Sequence, residues 1–384
     1  MKSLILLLSL TLFLCATPQD ELLDKFEYAM KNNDAKLLQS VIDLGIDVDE
    51  KYLIKKRNTY WTPLFIAISS KNSELFKSLI RKGANINYVD EDGLDLFYFA
   101  VYHTQLHMAK ELVKAGYKPN INPKSKRHPL AIAVLNNDIE AIKYLLSLGF
   151  DPKKELLQRN NLLEFALHSP NKDLKLPPHM FKLIKFDTYK YLIDMFKDEL
   201  NTQNKFGYHN LLLAQRGEES YKAFKYLVQS GINLHENNNG YSPFQSLSFD
   251  NFYEKKVEIL LSNNLNINHQ DKDGDTPLHQ LVVDYSKVLQ NIAKIQSQNS
   301  EAYYKKDEHK AVISILKQAK LDKKTSYLES AYKKLNAIKS AIKFLISKGA
   351  NKDIKNSMNK TPYESALFLK IEENELLEIL RSKD

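Results

Sequence analysis

A phrase of the form Gly-x-Asn/Asp-x-Asn/Asp recurs along this chain, each time after a Leu-rich segment. It begins at Gly45, Gly83, Gly116, Gly149, Gly231, Asn264 (where Asn stands for Gly) and Gly349. The spacings are 38, 33, 33, 82, 33 and 85 residues. A unit of about 33 residues cannot enclose a core of its own and must bury its apolar face against the next copy. The 82 reads as two units with an insertion, their hidden junction near 197–200. The 85 reads as one unit carrying about fifty extra residues.

A second phrase follows the first, at an offset of 12 residues in most copies. Its best copy is Thr276-Pro277-Leu278-His279. Variants are Thr62-Pro63-Leu64-Phe65, His128-Pro129-Leu130-Ala131, Ser242-Pro243-Phe244-Gln245 and Thr361-Pro362-Tyr363. Two copies lack the Pro, at Asp95-Leu96-Phe97 and His209-Asn210-Leu211. Thr or Ser is a helix N-cap, and Pro suits the first helical position because its missing N–H has no partner there. A polar pair, as at Lys71-Asn72 and Asn136-Asn137, turns the chain into a second helix. That helix has apolar residues at helical spacing, such as Leu75 and Leu79, Met108 and Leu112, Ile142 and Leu145. Gly ends it in the left-handed region.

These junctions resemble the ankyrin repeat family, most closely at His269 through His279. The resemblance covers almost all of residues 20–384. It implies an all-α repeat solenoid of helix pairs with β-turn tips, in about eight to nine units. The units read as 20–52, 59–91, 93–124, 127–158, 160–203, 207–239, 241–273, 275–354 and 361–384. The fifth is interrupted by Ser169-Pro170 through Pro177-Pro178. The resemblance also implies that His128 and His279 brace the turn. Binding in the family uses the turn tips and the exposed ends of the first helices. Those positions hold Trp61, Tyr102, Phe206, Tyr208, Arg216, Tyr241 and Phe249 here. Aromatics and Arg are the usual anchors of protein interfaces, so another protein on the concave face is the expected partner. Asp90, Glu91 and Asp92 form an acidic tip beside them.

The extra residues of the eighth unit fall in 284–346, a stretch without Gly or Pro whose apolar positions keep helical spacing. Two lengthened repeat helices forming an arm are expected, with a helix near 303–320 across it. The stretch holds 13 lysines, no arginine and six acids, a net +7, against +8 for the whole chain of 384 residues. With Lys2 removed, the remainder is neutral. The arm is therefore either a solvated helix face or a basic element for an anionic surface.

The N-terminus reads as a secretory signal over residues 1–16. Lys2 supplies the positive charge, Leu4–Leu14 an apolar run, and Ala16 a small residue before the cut. Export to a periplasmic, cell-envelope or secreted location is expected. Cys15 is the single cysteine. It either leaves with the signal or becomes a lipidated first residue, although Leu14 is a poor fit to a lipoprotein signal. A lone cysteine excludes an intrachain disulfide framework and a multi-thiolate metal site.

No phosphate-binding glycine loop, His-Glu-x-x-His or Gly-x-Ser-x-Gly occurs. His103 and His107 are four apart on one helix, with nothing nearby in sequence to supply a third ligand. No enzyme, no cofactor, no metal, no small-molecule substrate and no nucleic-acid partner is expected.

Overall fold

The structure is a computed structural model that describes residues 18–55, 58–91, 93–120, 128–154, 161–167, 183–201, 217–234, 240, 242–297 and 310–382. The contacts divide the chain into two compact units. One comprises Met1–Ala166 with Pro170–Ile184, the other Leu167–Ser169 with Lys185–Asp384.

The first unit runs α1 (Pro18–Asn32), α2 (Ala35–Asp43), a hairpin of β1 (Tyr52–Ile54) and β2 (Thr59–Trp61), then α3 (Pro63–Ser69) and α4 (Ser73–Arg81). The pairs α5 (Leu96–Tyr102) with α6 (Leu106–Lys114), and α7 (Pro129–Leu135) with α8 (Ile139–Ser147), follow, and then α9 (Leu162–Leu167). Helices α3, α5 and α7 have seven residues; α2, α4, α6 and α8 have nine. Each short helix is apolar all round and buried, as in Leu64–Ile68 and Leu130–Leu135. Each longer helix buries one stripe, as with Leu75, Phe76 and Leu79. Tyr52, Leu53 and Ile54 pair with Trp61, Tyr60 and Thr59. This hairpin takes up the five residues by which the first spacing exceeds the ruler.

The link between paired helices is a single left-handed residue: Asn33, Lys71, Thr104 and Asn137 all sit near φ 57°. In three of the four links the side chain of the residue after it caps the second helix; Gln105, after Thr104, makes no such bond. Asp34 accepts from Leu37 N–H, Asn72 from Leu75 N–H and Asp138 from Ala141 N–H. Capping of the first helices departs from expectation. Thr62 makes no side-chain cap bond and its buried hydroxyl has no hydrogen-bond partner among the described residues. Asp95, in a copy lacking the Thr-Pro pair, does cap, accepting from Tyr98 N–H at 2.6 Å.

The second unit contains α10 (Phe186–Met195), α11 (Glu218–Gln229), a 3-10 turn (Pro243–Ser246), α12 (Tyr253–Ser262), α13 (Pro277–Ser297), α14 (Lys310–Ser347), α15 (Pro362–Phe368) and α16 (Asn374–Leu380). The seventh repeat was expected to open on a full helix, yet Ser242-Pro243 starts only the 3-10 turn. The Ser and Asp side chains that follow bind locally instead. Asp250 accepts from the N–H of Phe252 and of Gly217, and with Ser248 it holds the buried Lys256 ammonium. In Thr276-Pro277-Leu278-His279, both the N–H and the hydroxyl of Thr276 donate to His279 Nδ1, at 3.2 and 2.9 Å. His279 Nε2 therefore carries the proton and donates to the Lys360 carbonyl at 2.8 Å. Where this copy has His279, the copy at 62–65 has Phe65, so Thr62 finds no acceptor.

α13 and α14 have 21 and 38 residues, about 32 and 57 Å at the usual helical rise. Residues 310–320, where a separate crossing helix was expected, are the first turns of α14. The tips on either side of these helices still meet. Asn268 Oδ1 accepts from Asn351 N–H and its Nδ2 donates to the Gly349 carbonyl. Asp49 makes the same contact to Asn85 N–H in the first unit, and Asn201 makes it to Asn233 N–H in the second. The Asn/Asp of the first phrase is thus a bracket from one tip to the next. Asn201 supplies it at the hidden junction.

Candidate functional site

In the first unit an aromatic cluster forms where a tip meets the short helices. Trp61, the last residue of β2, stacks on Phe65 of α3 at 5.4 Å and meets Phe99 of α5 edge-on at 5.1 Å. Tyr102, at the end of α5, lies parallel to Phe99 at 6.4 Å. Phe65 and Phe99 are buried while Trp61 and Tyr102 are half-buried. Two residues singled out from sequence therefore flank one buried ring and are themselves half-buried. His103 closes the row at 4.3 Å from Phe99. Tyr88 packs edge-on to Phe65 and donates its hydroxyl to the Tyr60 carbonyl at 3.0 Å. Burial raises the pKa of the Tyr88 phenol, helped by Glu91 and Asp90. Phe65, Phe99 and Tyr88 were not singled out in advance. Their signal was there: Phe97-Tyr98-Phe99 stands where the next copy has Leu130-Ala131-Ile132.

The acidic tip is not an open patch. Asp90 is buried and accepts from Leu94 N–H at 2.7 Å. Glu91 accepts from the Thr59 hydroxyl and from Tyr60 N–H. Those bonds hold its carboxyl below the usual range, the Thr59 hydroxyl first. Asp92 lies outside the described residues. So do Phe206, Tyr208, Arg216, Tyr241 and Cys15. Phe249 is half-buried on the segment after the 3-10 turn and packs against Tyr253 at 5.6 Å. His103 and His107 do not converge: His103 lies against Phe99, while His107 Nε2 bonds the Ser73 hydroxyl at 2.8 Å.

The arm's charge is unevenly spent. At the base of α14, Lys339 is bonded to Glu373 at 2.7 Å and Glu375 at 2.8 Å, and Lys343 to Glu375 at 2.9 Å. The two lysines push the Glu375 carboxyl down to about 2, with Lys339 the larger influence. Lys287 pairs with Asp284. Farther out, Lys333 and Lys334 are exposed and make no ion pair among the described residues.

Comparison with known proteins bears on these features. The family model for ankyrin repeats in three copies matches residues 26–123 and 64–156. Residues 26–156 thus match the ankyrin repeat family. The chain's repeats resemble those of an ankyrin repeat protein of Acanthamoeba polyphaga mimivirus, 23% identical over 301 residues, or 65% of this chain and 39% of the relative. The phosphocholine transferase AnkX of Legionella pneumophila is 26% identical over 148 residues, 38% of this chain and 15% of AnkX. The chain thus spans well under half the length of either relative. The crystal structure of the human ASB11 ankyrin repeat domain aligns with 62% of this chain and 96% of that one, at 17% identity and a TM-score of 0.44. Ankyrin repeats act as protein–protein interaction scaffolds, and the family is generally non-enzymatic.

Proposed function

We propose that this protein binds a protein partner through the row of tips and short-helix ends that carries Trp61 and Tyr102. It does so without catalysing a reaction. The observation behind this reading is that Trp61 and Tyr102 flank Phe99 with part of each ring exposed. A rigid aromatic surface of that kind loses little side-chain entropy on binding. Crosslinking in the native organism identifies the partner. Capture by the parent chain is then compared with capture by W61A/Y102A and by F206A/Y208A/Y241A/F249A. Loss in the first variant supports this face, and unchanged capture in both removes it. The repeats would act outside the cytoplasm, with residues 1–16 cleaved as a signal. The mass of the mature N-terminus tests this: a start at Thr17 indicates a free protein, an acylated Cys15 an anchored one.

A second contact element is favoured by the arm, whose outer lysines Lys333 and Lys334 are exposed and lack ion pairs among the described residues. It would meet an anionic partner or surface. Salt titration of heparin and vesicle binding tests it, because such binding must weaken as salt rises.

A further inference from the structure

The arm carries a groove that its charge alone does not explain. Between α13 and α14 lies a cavity of about 370 Å³, open to solvent. Val288, Ile295 and Ala331 form its apolar floor, with Val288 buried and the other two half-buried. Tyr327, 57% exposed, stands at one wall. Lys294 and Lys334 are exposed at its rim. Tyr327, Ala331 and Lys334 are spaced i, i+4, i+7, so one stripe of α14 supplies that side. The stripe lies beyond Lys339, whose pairing with Glu373 and Glu375 ties the base of α14 to the last repeat. From the repeat end of α14 at Ser347, Lys334 is about 20 Å out and Tyr327 about 30 Å out.

We propose that this groove is a docking site for an acidic amphipathic helix of a partner protein. The helix would lie along the arm with its apolar stripe on Val288, Ile295 and Ala331 and its carboxylates against Lys294 and Lys334. Charge complementarity sets the sign: the stretch 284–346 has a net charge of +7, and Lys334 makes no ion pair among the described residues. Shape favours a helix over a bilayer. The apolar residues are more buried than the lysines that line the same concavity, so a helix ridge reaches them more readily than a flat lipid surface does. The exposed Tyr327 ring supplies an anchor of the kind common in helix-in-groove contacts. The proposal rests on the arm being a contact element and is independent of the aromatic row in the first unit.

The test uses the full chain and a displayed library of helical peptides of about four turns. Their apolar stripe is held constant and their flanking positions vary among Glu, Lys and Gln. The selected peptides should be rich in Glu. Their binding should fall about tenfold or more in K294E/K334E. It should fall equally in A331R, which fills the floor while adding positive charge. Circular dichroism melts confirm that both variants fold. Selection without Glu enrichment, or binding that survives A331R, overturns the proposal. Heparin or phosphatidylserine/phosphatidylcholine vesicles binding to the parent and A331R alike, with no peptide selected, would leave the arm a polyanion or lipid contact and refute the groove. If no probe binds, both readings fall.

Discussion

Removing the carboxylate of Asp250 should destabilise the second unit far more than removing the lysine it serves. The Lys256 side chain is 0% exposed, and its ammonium lies 3.3 Å from both Asp250 oxygens and 3.1 Å from the Ser248 hydroxyl. In D250A the cation loses the Asp250 counter-charge and keeps its other contacts, the Ser248 hydroxyl among them. Breaking a buried pair from one side costs about 3–5 kcal/mol. The variant also loses the acceptor for Gly217 and Phe252 N–H, each bond contributing about 1 kcal/mol. The retained Ser248 contact brings the total to about 4–6 kcal/mol. K256M keeps the stem volume and removes the fully buried ion with its desolvation cost, while Asp250, 19% exposed, keeps the Gly217 and Phe252 N–H donors, so it should lie within about 1 kcal/mol of the parent. The double variant D250A/K256M should recover about 2–4 kcal/mol relative to D250A, the two lost N–H bonds remaining unmade. Urea melts by circular dichroism measure the totals, and hydrogen exchange across α11 and α12 localises the loss. Equal destabilisation by K256M and D250A, or no recovery in the double variant, would refute the argument that an uncompensated charge carries the cost.

Three further outcomes can be checked. T62V removes a buried hydroxyl that lacks a partner among the described residues, and should raise the urea midpoint by the equivalent of about 1 kcal/mol. Burial lowers the His128 pKa to about 4, below its usual 6.5. The unfolded chain then binds the extra proton between these values, so the His128 contribution is intact above pH 6.5 and falls away towards pH 4. It amounts to about 3 kcal/mol, and H128S should flatten the pH dependence of unfolding across that window. G274A places a Cβ 2.8 Å from Ser357 N at φ +71°, so it should cost about 2–3 kcal/mol and speed hydrogen exchange at 353–361. Unchanged exchange there would refute the close approach.

Period-bearing features were legible in the sequence because they are local. The turn after Lys71, the caps Asn72 and Asp138, and the stripe of Leu75 and Leu79 each depend on residues within four positions. Trp61 and Tyr102 were legible as candidates because the family's binding positions can be counted off from the phrase. That they meet through Phe99 was not, since 38 and three residues separate them from it. The buried Asp90 and the engaged Glu91 show the same limit. Both read as surface acids in the sequence, and only the fold supplies the Leu94, Thr59 and Tyr60 donors.

By itself the sequence determined the repeat length, the resemblance to ankyrin repeats and the net +7 of 284–346, because each is a property of order and composition. Tertiary structure alone decided which charges are spent. The Lys339 and Lys343 side chains meet Glu373 and Glu375 across 30 or more residues, while Lys334 stays exposed beside an apolar groove. It also decided that the tips on either side of the long helices still meet, through Asn268 and Asn351. Side-chain pairing of that range depends on where helices place their residues in space, and no periodicity in the chain encodes it.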